Sequence, residues 1–147
     1  MSAEKKPVVA ITIGDPAGIG PEITVATMMD KSVYDECKPF LIGSVPIISR
    51  AMKIMGCDFA IHKIAHPQEA RFSWGTLDVL ETGAYDCDSI EWGKVQKLAG
   101  QMSLDYVMKS IELGKAGLID VVSTAPIHKE AIKLAGCKLP GHTEIYQ

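Results

Sequence analysis

The stretch VVAITIGDPAGIGPE, Val8 to Glu22, constrains the fold of this chain more than any other. Its first six residues form a β-branched apolar run without polar alternation. That is the pattern of a strand buried on both faces, and so of a parallel sheet. Gly14 ends the run. Gly14, Gly18 and Gly20 make a loop that can take positive φ and approach other backbone closely. Pro21 and Glu22 then suit a helix's first turn, because proline lacks an amide that would be orphaned there and glutamate complements the dipole. A strand, a glycine loop and a helix start leave unpaired amides at the carboxyl edge of a sheet, where an anion is welcome.

The rest of the chain repeats the alternation. Pro39 to Gly43 reads as a second strand. Ser44 is placed to cap a helix carrying Ile47, Ile48, Ala51, Met52 and Met55, with Gly56 as its stop. Phe59 to Ile64 alternates weakly, as a third strand would. His66 to Trp92 is irregular, with Thr76 to Leu80 as a strand inside it. Lys94 to Lys115 carries an apolar stripe at helical spacing. Leu118 to Val122 reads as a short strand that enters Ser123-Thr124-Ala125-Pro126. A helix follows through Ile127 to Leu134, with Pro126 suited to its first turn. These elements predict an α/β fold, a mostly parallel sheet with flanking helices, across residues 1–147 with no internal boundary.

Composition narrows the function. The chain has 147 residues, 47% hydrophobic and 22% charged, enough to bury a core. Its net charge of −3 gives no footprint for nucleic acid. No run approaches the ~20 apolar residues of a membrane span. MSAEKKPVVAITIG is too short in its apolar run to be a signal peptide, so a cytoplasmic protein is expected. Cys37, Cys57, Cys87 and Cys137 show no C-x-x-C spacing and read as reduced thiols, mostly packing residues.

Two familiar phosphate motifs do not fit the first loop. The dinucleotide fingerprint needs G-x-G-x-x-G, and a P-loop ends in G-K-[ST]. Gly14, Gly18 and Gly20 are therefore either a tight turn or an anion loop. Asp15 favours a ligand slightly, since open α/β sheets bind ligands at the carboxyl ends of their strands. Near the end of the chain, His128 and Lys129 fall at another helix start, where the lysine could reach a phosphate or could simply be solvated. His142 and Thr143 follow the turn pair Pro140-Gly141. Imidazole and hydroxyl side by side can bind a phosphate or polar carbonyl, and Thr143 can equally cap a helix beginning at Glu144. No metal site assembles: His62 and His66 lack a further ligand at usable spacing and read as two surface histidines.

VVAITIGDPAGIGPEI, a long amphipathic helix, IDVVSTAPIHKEAIKLAG and PGHTE, in that order, resemble the N-terminal part of the 4-hydroxythreonine-4-phosphate dehydrogenase family. GDPAGIGPE with STAPIHKEA looks closer to the branch that oxidises 4-phospho-threonate or 4-phospho-erythronate than to the vitamin B6 branch. The resemblance implies a fold like isocitrate and isopropylmalate dehydrogenases. It implies a homodimer with its active site at the interface, and NAD-dependent oxidation of a phosphorylated secondary alcohol. It further implies a divalent metal (Zn, Mg, Mn or Co) that polarises the hydroxyl. By the same resemblance, His142 and Thr143 match the family's substrate-binding pair. Family metal ligands lie beyond the His-Thr segment, so none falls within this chain. The sequence is therefore expected to be an N-terminal fragment, inactive alone and prone to self-associate through uncovered sheet edges. The alternative is a stand-alone α/β module that binds a small anion without chemistry. A phosphate acyl- or acetyltransferase would need motifs absent from the sequence.

Overall fold

The computed structural model describes residues 5–147. Five strands form one all-parallel sheet: β1 (Val8–Thr12), β2 (Lys38–Gly43), β3 (Ala60–Ile64), β4 (Thr76–Glu81) and β5 (Val121–Thr124). Their order is β3-β4-β2-β1-β5. β1 and β2 lie inside the sheet and read as near-continuous apolar runs, as strands covered on both faces should. Phe40, Leu41 and Ile42 of β2 are fully buried. Each such side chain contributes roughly 1.5–3 kcal/mol of burial.

The helices are α1 (Gly20–Met29), α2 (Lys31–Glu36), α3 (Val45–Met55), α4 (Lys97–Lys115), α5 (Lys129–Leu134) and α6 (His142–Ile145). The chain steps one way across the sheet from β1 through β2 to β3, then returns past β2 and β1 to reach β5. Right-handed crossovers therefore put α1 and α3 on one face and α4 on the other. The packing agrees: α1 lies on α3, while α4 lies on α5 and crosses β1, β2 and β5. The backbones of α4 and α5 touch at Gly100, where an added Cβ would sit 1.9 Å from the Ala131 carbonyl oxygen.

The fold class and the five strands are as expected from the sequence; several local assignments are not. α2 went unrecognised because six residues carry no readable period; Asp30 starts it by accepting from the Ser32 amide at 3.0 Å. Ser44 does not cap α3 through its side chain. Its hydroxyl bonds that of Tyr106 on α4. The Val45 amide is served instead by Glu81 Oε2 from the end of β4, at 2.6 Å. The last strand starts at Val121, not Leu118, because Asp120 turns its carboxylate to accept from the Val8 amide at 2.8 Å. Pro126 stays in the loop, and α5 starts at Lys129 with His128 Nδ1 accepting from the Glu130 amide. Thr143 is no cap: Gly141 takes that place and His142 begins α6. His66 is exposed, but His62 is half-buried, with Nδ1 2.7 Å from buried Asp78. The four cysteines are free thiols.

Candidate active-site clefts at the end of β5

The sheet changes winding direction between β1 and β5. α1 leaves the end of β1 toward one face, and α5 leaves the end of β5 toward the other. In open α/β sheets the crevice at such a switch point binds ligands. Here it is a cleft of about 280 Å³ between the two loops, whose lining includes Asp15, Gly18, Ile19, Val95 and His128.

The walls fit because glycine is needed at two positions. Gly14 has φ +76°, and a Cβ there would lie 2.3 Å from the Pro126 carbonyl oxygen. A Cβ on Gly20 would lie 2.3 Å from the Ile13 carbonyl oxygen. Both glycines thus serve backbone geometry. Gly18 is different: a Cβ there meets only ordinary contacts, at 3.6 Å and beyond, and the residue is exposed at the cleft.

Asp15 is 5% exposed. One carboxylate oxygen accepts from the Ala17 amide at 2.7 Å, and the Gly18 amide also lies against the carboxylate. Burial pushes the carboxyl above the usual range; the Ala17 amide, the nearby His128 and the Gly18 amide oppose that shift. A desolvated carboxylate facing a cleft with apolar walls is a recognition group for a ligand hydroxyl or amine.

His142 and Thr143 line a second depression of about 280 Å³ with Val122, Thr124 and Tyr146. It runs along the outer side of β5. α6 is held there by the Tyr146 hydroxyl on Ser110 Oγ of α4. The Nε2 atom of His142 is buried and has no partner among the described residues. Burial holds this imidazole below its ordinary pKa, so the neutral form is favoured.

Lys129 lies in a third concavity, of about 670 Å³, with Lys133 and Lys138. Sequence proximity to His128 did not bring it to the Asp15 cleft, because successive residues at a helix start point in different directions. The three groups of candidates therefore occupy three depressions; β5 lines one of them through Val122 and Thr124, and the segment Pro126 to His128 that follows the strand lines another. Glu81 and Arg50, which hold neighbouring elements in place, carried no signal in the sequence. No group of three His, Cys, Asp or Glu that could hold a metal exists among the described residues. No helix among them is long and apolar enough to cross a membrane.

Comparison with known proteins gives this geometry a context. A family model described as "Pyridoxal phosphate biosynthetic protein PdxA" matches residues 35–147. A Clostridium botulinum protein named "Putative D-threonate 4-phosphate dehydrogenase" is 40% identical over 95% of this chain and 42% of its own length. The crystal structure of a 4-hydroxythreonine-4-phosphate dehydrogenase from Burkholderia phymatum superposes with a TM-score of 0.93 and 38% identity, over 97% of this chain and 43% of that one. The corresponding enzyme from Klebsiella pneumoniae gives 0.86 and 32%, over 95% and 43%. The chain thus spans less than half the length of the relatives it matches.

Proposed function

The chain belongs to the PdxA family, and from that membership we propose that it supplies the N-terminal part of a dehydrogenase acting on a phosphorylated hydroxy acid. D-threonate 4-phosphate is the preferred substrate, with 4-hydroxythreonine 4-phosphate as second choice. The observation that carries this is the His142–Thr143 depression: an unpartnered, buried imidazole nitrogen beside an exposed hydroxyl. His142 Nε2 and the Thr143 hydroxyl would hold the polar head of the substrate, because the orphaned nitrogen gains the hydrogen bond it lacks.

The same proposal puts NAD at the Asp15 cleft. The cleft combines a buried carboxylate as acceptor for a hydroxyl, apolar walls at Ile19 and Val95, and the start of α1 for a phosphate. NAD, when bound, accepts the hydride. Asp15 would orient it and Gly18 would let it approach the backbone. The described residues do not form a metal cage, so no role is assigned to them in holding the divalent ion expected for the family. Homodimer formation and a cytoplasmic setting are part of the same proposal.

The test is direct binding followed by NMR. D-threonate 4-phosphate should shift the His142 and Thr143 signals, NAD should shift Gly18, and His142→Ala should abolish the first response alone. Inorganic phosphate matching the substrate's response would favour the stand-alone anion-binding module instead.

A further inference from the structure

One side chain outside the candidate site touches both walls of the Asp15 cleft. Arg50, on α3, donates from Nη2 to the Pro16 carbonyl oxygen at 2.8 Å. Its guanidinium carbon also lies 4.2 Å from the centroid of the Trp92 ring. Pro16 belongs to the loop after β1. Trp92 belongs to the irregular segment that follows the 3-10 turn Cys87–Ser89. Gly93, Lys94 and Val95 of that segment form the opposite wall.

Among the described residues, the Gly93 amide also joins the walls by donating to the Ala17 carbonyl at 2.8 Å. Trp92 is 49% exposed, so burial holds it only in part, and the guanidinium over its ring adds a cation–π contact. Glu22, in the first turn of α1, has a buried carboxylate oxygen without a partner among the described residues and is an electrostatic neighbour of Arg50. A planar guanidinium can donate at its edge and stack on its face at once, whereas an ammonium is a point charge that offers no plane to stack.

We propose that Arg50 is a positioning residue that fixes the spacing of the cleft's two walls: its edge holds the Asp15 loop through Pro16, and its face holds the 92–95 segment through Trp92. The significance for a ligand rests on the cofactor reading of this cleft; the positioning itself does not.

Amide hydrogen exchange on the 147-residue chain tests it, comparing wild type with Arg50→Met and Arg50→Lys. Arg50→Met should speed exchange at Gly18 and Gly93 by about tenfold or more, the scale of a lost charge-assisted bond, with Phe40 to Ile42 unchanged. Arg50→Lys keeps the cation and loses the plane. It should protect Gly18 nearly as wild type does and leave Gly93 fast. Should Arg50→Met fail to fold, the Arg50→Lys split decides alone. Unchanged exchange at both glycines, or equal acceleration at Phe40 to Ile42, overturns the proposal. NAD titration is the second arm: its affinity should fall about tenfold in Arg50→Met, matching the lost bond. No response to NAD in the wild type would remove the cofactor reading, while the exchange data would still decide the role of Arg50.

Discussion

The Asp15 amide donates to the Pro126 carbonyl oxygen at 2.9 Å. This bond joins the loop after the first strand to the loop after the last, across more than a hundred residues of chain. The same carbonyl is the atom that a Cβ on Gly14 would strike. Gly14→Ala should therefore destabilise the protein by roughly 3 kcal/mol, from positive φ plus a clash with backbone that cannot yield. Gly18→Ala should change stability by less than about 1 kcal/mol, since its space is open and its φ ordinary. Urea midpoints of the two variants check the contrast; equal losses would contradict it.

Asp15 should make stability depend on pH in a defined sense. Its folded-state pKa is raised by burial, so the folded protein holds this proton more tightly than the unfolded chain does. Its stabilising share is present in acid and is lost as pH rises through the folded pKa. Asp15→Asn removes that loss. The variant should gain on wild type as pH rises above about 4, where the unfolded carboxyl is already ionised. Unfolding midpoints across that range test it, and a constant difference would show that the ionisation is not penalised. The same variant should lose NAD binding.

His142 has the opposite sign. Burial lowers its pKa from 6.5, so the folded chain favours neutral imidazole. Its contribution is present above pH 6.5 and fades as pH falls through the depressed folded value. Acidification should loosen the segment from Pro140 to Gln147 first. His142→Gln should remove that response. Exchange rates at Ile145 and Tyr146, whose amides bond Gly141 and His142 carbonyls, report it directly.

β5 ends the sheet with one side unpaired among the described residues, and Val121 on it is 47% exposed. A flat apolar edge is a template for another strand. The chain should sediment as a dimer or larger species at micromolar concentration, and Val121→Lys should shift it toward monomer. A cleanly monomeric wild-type species would argue against an adhesive edge.

Much of this protein was legible because it depends on period and punctuation. The β-branched runs at Val8 and Phe40, the αL stop at Gly56 and the stripe of α4 are local signals that each short segment carries by itself. They determined the parallel α/β architecture, and the three motifs at Gly14, Ser123 and Pro140 determined the family. Pairings between distant side chains were not legible. Nothing in the sequence says that Tyr106 draws Ser44 away from the helix it precedes. Nor does it say that Glu81 serves that helix in its place, or that Asp78 buries itself against His62 and the Arg71 and Phe72 amides. The same holds for the site. Sequence order put Lys129 beside His128, yet packing sent the two to different depressions and drew in Arg50 from a helix no motif marks. The reason is physical: a propensity or a cap depends on a few neighbours, while the partner of a buried polar group depends on which segments the finished sheet sets side by side.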